Sequence, residues 1–121
     1  VPVQITEVIN AVKNELPDIK LRCHLHNSRN TGFANAIAAI DAGVEVLDDS
    51  IGGIGGCPFA PHASGNISTD DLVYMLERSG IKTGVVLTKI IETSLWLETI
   101  LKKTMSSQVA KSGIFPPIET N

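Results

Sequence analysis

The chain has 121 residues, of which 43% are apolar and 19% charged, and its formal net charge is −3 at pH 7. This composition is typical of a globular protein that can bury a core. The ten basic residues are scattered and form no stripe for a nucleic-acid backbone, and no apolar run approaches the roughly 20 residues that a membrane helix needs. Two cysteines are too few for a disulfide framework. We therefore expect an intracellular protein, cytoplasmic or in the mitochondrial matrix of a eukaryote, with neither a nucleic-acid nor a membrane partner.

The first half of the chain alternates helical and strand patterns. The polar residues of the first predicted strand, Arg22, His24 and His26, share one face because successive strand side chains point to opposite sides. Gly43 suits the end of the second helix. The order helix, strand, helix, strand favours parallel βα units. The predicted bounds are about 5–16 and 31–42 for the helices, and 20–26 and 44–49 for the strands.

The second half is predicted to be mainly helical. Ser68 with Asp71 three residues later forms a capping-box pattern before an apolar run that Gly80 ends. A further helix starts at Thr88, acting as a cap, and runs to the lysine pair 102–103, with Trp96 as a packing residue. Residues 112–121 are expected to be a tail. A third short strand is expected near 64–66.

The strongest chemical motif is His24-Leu25-His26. Two imidazoles on one strand face can reach a single cation, and the side-chain carbonyl of Asn66 is a candidate further ligand. Taken alone, an HxH pair is more often explained by hydrogen bonds to neighbouring backbone. The position of this pair favours the metal-site interpretation, because βα folds place their active sites where a parallel strand ends.

A glycine-rich run, residues 50–56, precedes Cys57. The four glycines allow left-handed backbone and close approach to a ligand, which favours a mobile lid. Cys57 is then either a thiol that moves a proton at a closed site or a small buried apolar residue. The run fits neither a dinucleotide fingerprint nor a phosphate loop.

Two other polar residues are interpreted as structural. Arg22 on the histidine face needs a carboxylate partner, which Asp48, Asp49 or sequence outside this chain can provide. His62 is interpreted as an ordinary exposed loop residue.

Taken together, several motifs resemble the C-terminal part of 3-hydroxy-3-methylglutaryl-CoA lyases. They are His24-Leu-His26-Asn-Ser-Arg29, Gly32-Phe-Ala-Asn35, Gly53-Ile-Gly-Gly-Cys57-Pro-Phe-Ala60, Ala63-Ser-Gly-Asn66 and Asp71-Leu-Val-Tyr-Met-Leu76. The resemblance covers about residues 20–111. It implies an α/β fold: the C-terminal portion of a (β/α)8 TIM barrel, about strands 6 to 8 with flanking helices, forming an incomplete barrel. Residues 1–121 would be one partial catalytic domain.

The resemblance also implies a chemistry. It is metal-assisted cleavage of 3-hydroxy-3-methylglutaryl-CoA to acetyl-CoA and acetoacetate, as in leucine degradation and ketone-body formation, using Mg²⁺ or Mn²⁺. His24, His26 and Asn66 would be metal ligands, and His24 and Cys57 would transfer protons. The full-length enzyme would act on an acyl-CoA substrate as a homo-oligomer, a dimer.

Some positions depart from the family pattern. Asn27 stands where relatives often have Asp, Asn30 lies in a turn that usually includes Gly, and His62 replaces a usual Gly. The family's catalytic Arg and metal-binding Asp come from the first barrel strand, which no segment here matches, so the chain alone is expected to have little activity.

Three functions remain open at this stage. The leading hypothesis is the hydroxymethylglutaryl-CoA lyase reaction. The enzymatic alternative is a lyase for another 3-hydroxy-3-substituted acyl-CoA, or a related Claisen synthase acting on 2-oxo acids. The non-enzymatic alternative is a barrel fragment that serves as an association module through exposed strand edges.

Overall fold

A computed structural model describes residues 1–56 and 65–117 of the chain. Within these ranges the fold is mixed α/β, with a parallel pair of short strands and several helices. The helices are α1 (Pro2–Glu15), α2 (Gly32–Asp41), α3 (Thr69–Arg78), α4 (Leu87–Leu101) and α5 (Gln108–Ser112), and the strands are β1 (Arg22–His24) and β2 (Val46–Asp48). The residues form two compact units, 1–49 with 56–67, and 50–55 with 68–121.

The first unit packs α1 and α2 against the two strands. Its core contains the buried residues Ile9, Ala39 and Val44, with Leu21 and Cys23 packed against them. The polar face of β1 is therefore the face turned away from this core, as the alternation of its side chains predicts. Arg22 pairs with Val46 and His24 with Asp48 in the parallel register.

Two asparagines shape the turn that leads into α2. Asn30 has a φ of 56°, a left-handed conformation that asparagine adopts more readily than most residues. The Oδ1 atom of Asn27 accepts a hydrogen bond from the Gly32 amide at 3.0 Å, which satisfies a donor at the start of α2. The backbone of Asn30 thus makes the turn, and the side chain of Asn27 satisfies the first amide of α2.

In the second unit, Ser68 caps α3 as predicted. Its Oγ atom accepts from the Asp71 amide at 3.2 Å. The carboxylate of Asp71 does not complete the capping box, because it accepts instead from the amides of Gln108 and Val109 at the start of α5. Gly80 has a φ of 81° just after α3, in agreement with its predicted role as a helix stop.

Several sequence-based bounds need correction. The helix after Gly84 begins at Leu87 with Val86 at the N-cap and no side-chain cap, so Thr88 is not its cap. Trp96 is 57% exposed and is not a packing residue among the described residues. Among the described residues near the expected third strand, Asn66 forms an isolated antiparallel bridge with His26 rather than part of a strand. The short helix α5 was not predicted.

Candidate metal and active site

The two histidines of the HxH motif converge. The Nε2 atoms of His24 and His26 lie 3.2 Å apart, and the two rings meet edge to face at 83°. His24 is exposed at the end of β1, and His26 is half-buried just beyond it. The two ring nitrogens thus lie close together, as predicted, although β1 ends at His24 and His26 lies just beyond it.

This spacing fits a shared divalent cation. Two ligands at adjacent octahedral positions, each about 2.1 Å from the ion, are about 3.0 Å apart. The same 3.2 Å separation also allows an N–H···N hydrogen bond between two neutral rings, with the tautomers chosen to match. The two Nε2 atoms can thus satisfy each other without an ion, and their separation is close to the one that a shared ion requires.

The backbone pairs Asn66 with His26. Asn66 and His26 form an antiparallel bridge, flanked by hydrogen bonds from the Ile67 amide to Leu25 O at 3.3 Å and from the Asn27 amide to Gly65 O at 3.4 Å. The amide oxygen of asparagine is a ligand that Mg²⁺ and Mn²⁺ accept. The three proposed metal ligands therefore belong to one compact unit.

The described residues contain no cluster of three or more His, Cys, Asp or Glu side chains that could hold a metal ion. The candidate donor set here is two imidazoles and an amide, which carries no negative charge. A cation of the Mg²⁺ or Mn²⁺ class generally takes carboxylate ligands as well. The set fits such an ion as part of a larger coordination shell.

Arg22 finds a carboxylate on the neighbouring strand. Its Nη1 atom lies 3.4 Å from Asp48 Oδ1, with both side chains substantially exposed. This supports the structural role predicted for Arg22 and selects Asp48 among the expected partners. An exposed ion pair of this kind contributes about 0–1 kcal/mol to stability.

The glycine run divides into two parts. Gly52 and Gly53 are buried in a short 3₁₀ turn, Ile51–Gly53, whereas Gly55 and Gly56 are exposed. The first half of the run is buried and hydrogen-bonded, whereas the predicted mobile lid stays a prediction. Cys57 and His62 lie outside the described residues, and their predicted roles stay predictions.

One functional candidate was missed from the sequence. Asp70 is completely buried, and its two carboxylate oxygens accept hydrogen bonds from the Gly52 amide and the Ser94 hydroxyl. In the sequence it is only an acidic residue in the first turn of a helix, where acids are common. No local signal links it to a glycine 18 positions earlier.

Comparison with known proteins places the chain in a family. Residues 1–96 match the HMGL-like family, and the chain belongs to that family. It is 42% identical over 119 residues to the (R)-citramalyl-CoA lyase of Chloroflexus aurantiacus, covering 98% of this chain and 38% of that protein. It is also 42% identical over 115 residues to a hydroxymethylglutaryl-CoA lyase of Bacillus subtilis, covering 93% of this chain and 38% of that protein.

Solved structures agree with this placement. An HMG-CoA lyase from Acinetobacter baumannii, in complex with coenzyme A and 3-methylmalate, superposes with a TM-score of 0.91 at 40% identity, over 100% of this chain and 40% of that one. The HMG-CoA lyase of Bacillus subtilis gives a TM-score of 0.84 at 40% identity, over 91% and 37%. The chain therefore spans less than half the length of the relatives it matches.

These matches confirm the resemblance to the HMG-CoA lyase family. They support an α/β fold that forms part of the structures of such lyases, and relatives that include two kinds of acyl-CoA lyase. A human relative is named as mitochondrial. In the part of the chain that the structure describes, no helix is long and apolar enough to span a membrane.

Proposed function

We propose that this chain supplies part of the active site of a metal-dependent carbon–carbon lyase that cleaves 3-hydroxy-3-methylglutaryl-CoA to acetyl-CoA and acetoacetate. The observation that carries the proposal is the convergence of His24 and His26 at 3.2 Å beside the backbone bridge to Asn66. Membership of the HMGL-like family supplies the reaction class. A location in the cytoplasm or the mitochondrial matrix, and a homodimer, belong to the same proposal.

The proposed reaction is a retro-aldol cleavage. The tertiary hydroxyl loses its proton and becomes the ketone of acetoacetate, while the electrons of the broken C–C bond pass to the thioester α-carbon. That carbon then takes up a proton to give acetyl-CoA. One proton leaves oxygen and one joins carbon, so the reaction needs a base, an acid and stabilisation of negative charge on oxygen.

The proposed roles follow from the donor types. His24, His26 and Asn66 would hold Mg²⁺ or Mn²⁺, which would supply Lewis-acid polarisation of the substrate oxygens. His24 would assist in removing the hydroxyl proton, and Cys57 would protonate the carbon. Carboxylate ligands and a charged arginine would come from barrel segments that this chain does not contain.

The first test measures metal binding directly. We expect His24→Ala and His26→Ala to weaken Mn²⁺ binding at least about tenfold, because each removes one of few ligands. Asn66→Ala is expected to weaken binding less, since a neutral amide oxygen is replaceable by water. Electron paramagnetic resonance of free Mn²⁺ measures the affinity, and Lys20→Ala, a solvent-exposed neighbour of β1, is the control.

The second test measures catalysis in a chimera. The segment of the Bacillus subtilis HMG-CoA lyase that matches this chain is replaced by it, and turnover is assayed with Mn²⁺ or Mg²⁺. We expect cleavage of 3-hydroxy-3-methylglutaryl-CoA, with a loss of at least about a hundredfold in kcat for His24→Ala and Cys57→Ser. A folded chimera that binds Mn²⁺ but cleaves no acyl-CoA contradicts the proposal.

Citramalyl-CoA is the second substrate for the same assay, because the citramalyl-CoA lyase and the Bacillus hydroxymethylglutaryl-CoA lyase are equally similar to this chain, each 42% identical. Preferential cleavage of citramalyl-CoA by the chimera would favour this alternative within the same reaction class. A Claisen synthase would instead consume acetyl-CoA and a 2-oxo acid. A noncatalytic association module would show Mn²⁺ affinity that does not depend on His24.

A further inference from the structure

Asp70 joins the start of the glycine run to a neighbouring helix. Its Oδ2 atom accepts from the Gly52 amide at 2.8 Å, and its Oδ1 atom accepts from the Ser94 hydroxyl of α4 at 2.5 Å. Asp70 and Ser94 are both completely buried. A buried carboxylate is costly unless its oxygens are satisfied, and here each oxygen has a fixed donor.

Gly52 is also held on its other side. Its carbonyl accepts from the Ser106 amide at 2.9 Å and from the Ser106 hydroxyl at 3.1 Å. A Cβ atom at Gly52 would come within 2.6 Å of the Met105 side chain, and the residue has a φ of 63°. Both peptide polar groups and the space around the Cα atom are therefore occupied.

The turn around Gly52 is closed by backbone hydrogen bonds as well. The carbonyl of Ser50 accepts from Gly53 at 2.8 Å and from Thr69 at 2.9 Å. Beyond this turn the chain becomes exposed, and Gly55 has a φ of 97°. We define residues Ser50–Gly53 as the root of the glycine run. Backbone and side-chain hydrogen bonds both hold the root in place. Its two glycines adopt the left-handed conformation that this one turn requires.

We propose that Asp70 is a positioning residue that fixes this root. The consequence for catalysis rests on the proposed function, in which Cys57, four positions after Gly53 in the sequence, transfers a proton. Asp70 touches no reacting atom in this scheme. It acts through the Gly52 amide, in a turn that precedes Cys57 in the sequence.

Substitutions can separate the hydrogen bonds from the charge. Asp70→Ala leaves the Gly52 amide and the Ser94 hydroxyl without partners. Asp70→Asn keeps both contacts, since its carbonyl oxygen can accept from Gly52 while its amide donates to the Ser94 oxygen. Asp71→Ala is the matched control, because this adjacent carboxylate binds the amides that begin α5 and does not contact the root.

The first measurement is hydrogen exchange of the root amides in the chain itself. We expect Asp70→Ala to speed exchange at Gly52 at least about tenfold, with Asp70→Asn close to the parent and Ser94→Ala intermediate. Asp71→Ala is expected to speed exchange at Gln108 and Val109 but not at Gly52. Slow exchange at Gly52 in Asp70→Ala, or equal acceleration by Asp71→Ala, overturns the proposal. If Asp70→Ala does not fold, unchanged exchange at Gly52 in Ser94→Ala overturns it.

The second measurement determines how each substitution changes kcat and KM separately in the chimera. Asp70→Ala is expected to lower kcat about tenfold with KM changed less than about twofold, and Asp70→Asn is expected to restore kcat. An active chimera whose kcat is indifferent to Asp70→Ala contradicts the positioning role. An inactive parent chimera contradicts the proposed function instead and leaves the hydrogen-exchange result standing.

Discussion

At the scale of single residues, burial controls the reactivity of Cys23. This residue is half-buried on β1, and burial raises the pKa of its thiol because the thiolate is poorly solvated. We expect Cys23 to react with iodoacetamide at pH 8 several-fold more slowly than free cysteine, since the thiolate is the nucleophile. Mass spectrometry of the Cys57→Ser variant measures this rate without a competing thiol. A rate equal to that of free cysteine contradicts the expectation.

Glu77 gives a pH dependence with a definite sign. Its Oε1 atom accepts from the Thr83 hydroxyl and from the Thr83 amide, both at 2.7 Å, and these bonds, the hydroxyl's first, lower the pKa of the carboxyl below its ordinary value of 4.5. Because the folded-state pKa is the lower one, the stabilisation is present above the unfolded-state pKa and is lost as pH falls through the folded-state value.

The measurement for Glu77 is thermal unfolding between pH 7 and pH 3. We expect Glu77→Gln to narrow the difference in melting temperature between these two pH values relative to the parent. Glu7→Gln, a substitution on α1 far along the chain, is the control. An identical pH dependence in parent and Glu77→Gln would show that the Thr83 hydrogen bonds do not discriminate between the two protonation states.

The sequence predicted the site unevenly at this scale. The convergence of His24 and His26 followed from the period of a strand, which is a local property. Asn66 was a candidate from the chemistry of its side-chain carbonyl and from the family resemblance, but its approach to His26 depends on long-range backbone pairing that no local pattern predicts. Asp70 could not be found, because a buried acid that serves a distant amide looks the same in sequence as an ordinary acid near a helix start.

At the scale of elements, a substitution in the 3₁₀ turn Ile51–Gly53 can separate the cost of a steric clash from the cost of backbone strain. Gly52→Ala must place a non-glycine residue at positive φ, which costs about 1–2 kcal/mol, and must also displace Met105, which costs about 1–3 kcal/mol more. Gly84→Ala is the matched control, because Gly84 has a φ of 73° but open space around it.

Chemical denaturation measures the two free energies of unfolding. We expect Gly52→Ala to lose clearly more stability than Gly84→Ala, with the difference reporting the displacement of Met105. Equal losses would mean that the turn accommodates a methyl group without repacking.

Helix ends were predictable where one residue decides them. The predicted cap of α3 is Ser68, and the predicted glycines after α2 and α3 are Gly43 and Gly80, both at positive φ. These predictions succeeded because helix caps and left-handed turns depend on local sequence. The prediction that Thr88 caps α4 was wrong, since α4 starts before it without a side-chain cap. The helix α5 was missed because it has five residues, and its first amides are satisfied by Asp71 from another helix.

At the scale of the whole molecule, the chain is much shorter than its relatives, and this limits the activity expected of it alone. The chain covers 38% of the Chloroflexus and Bacillus relatives, and its described residues contain two paired strands, whereas a βα barrel closes with eight. We expect the chain alone to cleave 3-hydroxy-3-methylglutaryl-CoA at least about a thousandfold more slowly than the chimera, because the proposed function takes its carboxylate ligands and its charged arginine from segments outside this chain. Equal turnover by the chain alone contradicts this expectation.

The backbone bridge between His26 and Asn66 has a consequence for folding. It joins positions 26 and 66 of the chain, so the three candidate ligands meet only after a loop of about forty residues has closed. A cation bound there acts as a clip across that loop and favours the folded chain by mass action. Added Mn²⁺ would then raise the melting temperature of the chain, and the folding of this unit could be followed through its affinity for the ion.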